Sequence, residues 1–360
     1  MKRSTAVLAA AILVLAVIPV TAVDVGTGIG VNIETEKFKP LIWMCDHRIL
    51  YDDNVEPGRV CQPDDPCLLA ERIENYAFEG EQIHWEVLVM DKNGIEKIKD
   101  VFITIGSSQG TGNDIEANCK LHHVLVKGEP IGESCNARIK EEWLHEATEN
   151  TMAYYDCTLT VETPESMAGE YWVTVEVEDL DGLSSTMDEN EYWFFNPEIA
   201  LAIDGQLSFE EVRPGSFAYS ETITVGNDAE AGSGVLLDMF ISGTDFYDSS
   251  SSGAKCPTTN QLSLTNFDYY ATNGAYGSQL DPRSAGDSER YVGICYGDKF
   301  QTSMYDNCEI IQGPKLTGGY YAGNVLSPGA EISLTFRLDL PEPCNGDFDT
   351  GQIFFWGEAV

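Results

Sequence analysis

The sequence predicts an all-β protein: two consecutive β-sandwich domains behind a secretory signal. Three observations predict it. Short runs with alternating apolar and polar residues follow one another along most of the chain. Turn signals such as Lys92-Asn93-Gly94 and Asp181-Gly182 separate them, each placed to make a hairpin. A single stretch, Ala137–Thr148, has helix-forming composition, and it is short.

The N-terminus carries the signal, residues 1–22. Lys2 and Arg3 are basic, Ala6 to Ile18 is unbroken and apolar, Pro19 interrupts it, and Val20-Thr21-Ala22 supplies a cleavage site. The apolar run falls well short of the roughly 20 residues a bilayer core needs. Retention as an uncleaved anchor is the alternative. No later segment is long and apolar enough to span, so the expected location is secreted or cell-surface.

The next segment, Val23 to Ile33, places Val25, Ile29, Val31 and Ile33 on one parity, with glycines at 26, 28 and 30 on the other. It predicts a strand with one apolar face, thin enough on the other for another backbone to approach. Two fates are open to it: pairing with its own first domain, or addition to a sheet edge of another subunit.

Strands follow at Leu41–Tyr51, Ile83–Met90, Val101–Ile105, Leu121–Val126, Tyr154–Glu162 and Tyr171–Glu178. At Phe195-Asn196-Pro197 the pattern resets, which sets the domain boundary, 23–197 and 198–360. Further strands are predicted at Ile199–Val212, Phe217–Val225, Val235–Ile241, Leu262–Ala271, Tyr291–Tyr296, Glu331–Leu340 and Gln352–Ala359. Long polar loops and no helix in this half predict a jelly-roll-like sandwich.

Two stretches carry a resemblance. Glu79-Gly80-Glu81, the run Ile83–Met90, Asp91-Lys92-Asn93-Gly94 and Val101–Ile105 resemble the early strands of PKD- or cadherin-type immunoglobulin-like modules. Gly169 to Val177 followed by Asp179-Leu180-Asp181-Gly182 resembles their late strand and turn. The resemblance covers about 100 residues and implies an extracellular immunoglobulin-like sandwich; the six cysteines and the insertion between Cys119 and Cys157 depart from it. Arg213-Pro214-Gly215, Tyr219–Val225, Gly226-Asn227 and Gly232 to Val235 resemble TasA-type fibre sandwiches. The whole chain is similar to secreted surface proteins of archaeal type, which implies a surface location and no particular activity.

Composition narrows the partners. Acidic residues outnumber basic ones 59 to 21, a net charge of −38. Such a surface repels phosphate backbones and anionic headgroups, which excludes nucleic acid. The charge serves solubility or salt tolerance, or it holds divalent cations such as Ca2+. With aromatics at 10% and apolar residues at 43%, the chain is not a disordered acidic tail.

The ten cysteines read as disulfides in an oxidising compartment. Cys45, Cys61, Cys67, Cys119, Cys135 and Cys157 precede residue 197; Cys256, Cys295, Cys308 and Cys344 follow it. Both counts are even, so each half can close its own bridges, and the spacing alone leaves the pairing open. Cys61 and Cys67 flank a loop that a local bridge would close. There is no C-x-x-C, so zinc is not expected.

The remaining motifs weigh against catalysis. Gly106-Ser107-Ser108-Gln109-Gly110 matches G-x-S-x-G, but loop residues rather than a helix follow it. His47, His84, His122, His123 and His145 lack H-E-x-x-H spacing, and His122 and His123 alternate faces of one strand. Asp179 and Asp181, with Asp188, Glu189 or Glu191 nearby, are the first candidate Ca2+ ligands, although Val177 and Asp188 break the EF-hand pattern. Asp347 and Asp349 are the second. Tyrosines crowding the second half fill a half-buried face or stack on sugar rings. No N-x-Ser/Thr triplet offers N-glycosylation. The sequence thus predicts a non-catalytic exported structural or adhesion protein acting through contacts with other surface proteins or itself. A secreted carbohydrate- or Ca2+-binding module is the alternative, and a hydrolase without a recognisable motif the third reading.

Overall fold

The computed structural model describes residues 29–52, 74–138, 144, 146–187, 191–250, 253–305, 307–316 and 319–360, with backbone only at 46–52, 136–138 and 302. The chain divides into two units, Met1–Lys37 and Phe38–Val360. In the first, residues 29–37 form no strand. This corrects the strand expected over 23–33 for the residues described; 23–28 lie outside them.

The first half of the larger unit contains β1 (Leu41–Asp52), β2 (Tyr76–Ala77), β3 (Glu81–Met90), β4 (Ile98–Gly106), β5 (Ile115–Val124), a short helix α1 (Glu133–Arg138), β6 (Met152–Thr160), β7 (Gly169–Asp179), β8 (Ser184–Met187) and β9 (Tyr192–Phe195). The strands run β1-β3-β6-β5-β4-β7-β9-β2, with β8 on β7. The sheet folds over itself at β5, whose first residues pair with β4 and whose residues from Cys119 onward pair with β6. Inward rows from the two layers then meet. Ile83, Trp85, Val87 and Val89 of β3 are fully buried, as are Ile103 and Ile105 of β4 and Val175 and Val177 of β7. The rings of Trp85 and Trp193 lie 5.8 Å apart at 80°. Each such side chain contributes about 1.5–3 kcal/mol on burial, and period-two spacing puts them all on one face.

The second half contains β10 (Leu201–Asp204), β11 (Ser216–Asn227), β12 (Leu237–Gly243), β13 (Phe246–Tyr247), β14 (Gln261–Leu262), β15 (Phe267–Asn273), β16 (Tyr276–Gly277), β17 (Val292–Gly293), β18 (Cys295–Tyr296), β19 (Val325–Leu326), β20 (Glu331–Leu340) and β21 (Ile353–Ala359). One sheet runs β10-β11-β20-β15-β16, with β17 on β15; a second runs β18-β12-β19, with β21 on β12; β13 and β14 form a small pair. Ile332, Leu334, Phe336, Leu338 and Leu340 of β20 are buried at every second position and face the β12 side chains across the core. Asn227 is buried there with its amide fully used: Nδ2 donates to the carbonyls of Val235 and Leu326, and Oδ1 accepts from the N–H of Ala229. The expected all-β, two-sandwich architecture is the observed one.

Several expected elements differ. The described helix is Glu133–Arg138; of the helix expected over 137–148, residues 139–143 and 145 lie outside the described residues, and Glu146 forms a β-bridge with Pro130. The turn at Lys92-Asn93-Gly94 does not make a hairpin, because β3 and β4 belong to different layers; it leads into a 3-10 turn, Ile95–Lys97, that crosses between them. Only Leu201–Asp204 of the long run expected at 199–212 forms a strand, and Gly205, at φ 107° against Ile223, turns the chain away after it. A 3-10 turn at Leu264–Asn266 interrupts the run 262–271. Tyr291–Tyr296 is split, β17 joining one sheet and β18 the other, so this segment carries the chain between layers.

Four disulfides are present among the described residues: Cys45–Cys135, Cys119–Cys157, Cys256–Cys344 and Cys295–Cys308. All close within their own half, as expected; Cys61 and Cys67 lie outside the described residues. Cys119 and Cys157 are direct register partners on β5 and β6. Every described strand pairing also stays on one side of residue 197, yet Tyr76 and Phe194 are buried in the core of the second half. The Tyr76 hydroxyl donates to the carbonyl of Val360 at 2.6 Å.

Candidate functional site

Two aspartates end the inward rows of the first sandwich. On β3 the buried positions Val87 and Val89 continue to Asp91; on β7, Val175 and Val177 continue to Asp179. Parity therefore carries both carboxylates inward, and they are 1% and 2% exposed. Two turns frame them. Asp91 Oδ1 accepts from the N–H of Asn93 at 2.7 Å, and its carbonyl accepts from the N–H of Gly94. Asp179 Oδ1 accepts from the N–H of Leu183 at 2.7 Å, closing the hairpin turn that Asp181-Gly182 predicts. The turns are joined where Leu180 N–H donates to the carbonyl of Lys97 at 2.8 Å.

Asp91 Oδ2 is buried and has no hydrogen-bond partner. Burial pushes the Asp91 carboxyl above its ordinary range; the Asn93 N–H offsets part of this, while Asp179, Glu96 and Asp181 add to it by charge repulsion. Glu96 and Asp181 sit exposed on the two turns. The group is an all-oxygen donor set. Asp91 and Glu96 were not among the sequence candidates, although continuing the period-two count from Val87 and Val89 reaches Asp91.

The other predicted ligands are dispersed. Asp188 lies outside the described residues. Glu191 is buried, receives the Trp193 indole N–H at 3.3 Å, and its carbonyl accepts from Val173, six residues along β7 from Asp179. It is therefore not a neighbour of Asp179, because the strand rises over 3 Å per residue. Asp349 is committed to a loop clamp: Oδ1 accepts from the Ser249 N–H and Oδ2 from the Ser249 hydroxyl, which holds its pKa low. Asp347 is exposed, and its N–H donates to Asp248. Among the described residues, Cys45, Glu86 and Cys135 form the one group of three ligating side chains within 4.8 Å of one another, and its cysteines are joined in a disulfide.

The histidines serve local pairs. A register shift in β5 between Leu121 and His123 sets His122 beside Asp156, whose other oxygen lies 3.2 Å from His84 Nε2. His123 pairs instead with Glu129, so neighbouring histidines face different carboxylates, as alternation predicts. Ser108 sits between β4 and β5, in a loop tied by Asn113 Nδ2 to the carbonyls of Ser108 and Gly110; strand, loop and strand replace the nucleophile elbow. Many tyrosine hydroxyls are tied down internally. Tyr269 donates to the Ile310 carbonyl, Tyr270 contacts Gln279, and Tyr296 contacts Asp245.

Two surface features remain. Ile29, Val31 and Ile33 are 92%, 76% and 78% exposed. On the outer face of the β10–β11–β20–β15 sheet, Phe217 and Tyr219 are exposed beside Tyr291, and the Arg337 guanidinium lies 4.6 Å from the Tyr291 ring and 5.4 Å from the Phe217 ring. Arg337 also binds Asp268 and Asp287 at 2.7 and 2.6 Å.

No family model and no curated protein matches the chain. Among solved structures, a chain described as "BspA_C_WT" is similar at 10% identity and TM-score 0.30, covering 87% of this chain and 96% of that one. A chain of a chaperone–tip adhesin complex of CFA/I fimbriae biogenesis is similar at 9% identity and TM-score 0.22, covering 90% and 92%. A putative secreted protein from Eubacterium rectale is similar at 9% identity and TM-score 0.17, covering 91% and 68%. At such scores none of them assigns a family. No helix among the described residues is long and apolar enough to cross a membrane.

Proposed function

We propose that this chain is an exported, non-catalytic surface or extracellular protein that acts by contact, as an envelope, appendage or adhesion component. The observation that carries the reading is the segment with Ile29, Val31 and Ile33 on one parity and all three exposed. Apolar side chains so spaced are complete as a strand face once another sheet edge pairs with them. β10, at the end of its sheet with Ile203 57% exposed, offers such an edge in a second copy. The signal-like N-terminus and the four disulfides support export. Deleting residues 23–33 from the mature protein should leave its β-rich circular dichroism and cooperative melting unchanged. The same deletion should abolish filaments or oligomers seen by electron microscopy and light scattering. An intact protein that stays monomeric at high concentration overturns the reading.

A second reading, carbohydrate binding, is favoured by the Phe217, Tyr219 and Tyr291 face around Arg337, since aromatic rings stack on sugar faces. The Tyr219 and Tyr291 planes are inclined by 50°, so a ligand would be cradled rather than laid flat. Polysaccharide pull-down that is lost in F217A/Y219A would support it; no binding by the intact protein sets it aside.

A further inference from the structure

We propose that Asp91 and Asp179, with Asp181 and Glu96 closing from the two turns, form a Ca2+-binding site at the end of the first sandwich. The inference is independent of the contact reading above.

Asp91 is the decisive residue. A carboxylate taken out of water needs hydrogen-bond donors or a cation on both oxygens. Asp281 shows how this chain satisfies a buried carboxylate without a metal: Arg283 reaches both of its oxygens, and the N–H groups of Arg283 and Gln312 add two more bonds. Asp91 has one backbone donor on Oδ1, nothing on Oδ2, and three further carboxylates as neighbours. The charges that act on it most strongly are those three carboxylates, all of its own sign. A bound dication would attract all four carboxylates, offset their mutual repulsion and give Asp91 Oδ2 a partner.

The donor chemistry selects the ion. All four candidate ligands are carboxylates, which suits a hard cation. No three of them converge within 4.8 Å. Ca2+ takes six to eight oxygens in flexible geometry, with backbone carbonyls and water completing the shell, whereas Mg2+ demands a tight octahedron. Two ligands are fixed by strand ends and two ride on exposed turns, so the site can close around the larger ion.

The test uses the full mature protein in calorimetric titration with CaCl2, and in thermal melts with CaCl2, MgCl2 or chelator at matched ionic strength. Saturable Ca2+ binding is expected, with a melting temperature raised by about 4 °C at 100 times Kd. Mg2+ should give a much smaller shift. D91N should abolish binding while melting no lower than the wild type in chelator, because it removes an unpaired buried charge; a purely structural Asp91 would lose stability there. D181N, on an exposed turn, should weaken binding at least tenfold, and it carries the test should D91N fail to fold. D347N should bind as the wild type does. The proposal is overturned by absence of saturable binding, by equal shifts from Mg2+, or by D91N and D181N both titrating like the wild type.

Discussion

Asp238 on β12 is buried, and its carboxylate accepts from the Asn324 side-chain amide at 2.7 Å. Burial, reinforced by the charges of Glu309 and Glu358, pushes its pKa up to about 7, the Asn324 hydrogen bond acting the other way. In the unfolded chain the same group titrates near 3.8. Between those values the folded state holds the extra proton, so this group's contribution to stability is greatest at low pH and falls as pH rises through the window, by on the order of 4 kcal/mol. D238N should remove this slope, melting above the wild type at pH 8 and losing that advantage near pH 4. Parallel melting profiles for the two proteins would contradict it. Asn196 acts at the same scale. It adopts φ 48°, its Nδ2 donates to the carbonyls of Glu162 and Met167, and its Oδ1 accepts from the Glu79 N–H. N196A loses the side-chain bonds and strains the backbone. We expect a cost of about 2–3 kcal/mol in denaturant unfolding, of which N196G should recover the backbone part.

Among the elements, the disulfides divide by the loops they close. Cys256–Cys344 ties residues 88 apart, and Cys295–Cys308 residues 13 apart. Loop entropy in the unfolded chain makes the first worth about 4–5 kcal/mol and the second about 3. The double variants C256A/C344A and C295A/C308A should lose stability in that order, measured by chemical denaturation; the reverse order would show that native packing rather than chain entropy sets their contribution. The strand ends illustrate how an element positions a site. β3 and β7 belong to opposite layers, and each carries an aspartate one step beyond its last inward aliphatic residue. Packing that orders Val89 and Val177 therefore also orders Asp91 and Asp179.

For the molecule as a whole, a net charge of −38 disfavours the compact state through self-repulsion. Raising NaCl from about 0.05 to about 0.5 M shortens the screening length severalfold and should raise the melting temperature by a few degrees. This monovalent effect is diffuse and should be the same in D91N and in the wild type, which separates it from the proposed site binding of Ca2+. Assembly through the N-terminal segment should also strengthen with salt, because two acidic copies must approach each other. An opposite trend would point to charge pairing between subunits.

The sequence by itself determined the β class, the two runs of inward aliphatics, β20 and β21 almost to the residue, the confinement of the described disulfides to each half, and the turn at Asp179–Gly182. These follow from period-two burial and from turn chemistry, both local in the chain. Tertiary structure decided the rest. The turn after Asp91 changes layers because the partners of β3 and β4 are supplied by strands distant in sequence. Tyr291–Tyr296 is shared between two sheets for the same reason, and Glu191 is carried away from Asp179 by the pairing of β7 with β9. The meeting of Asp91 with Asp179, 88 positions later, is likewise non-local: parity states that each points inward, but only the packing of two layers places them at the same end of one core.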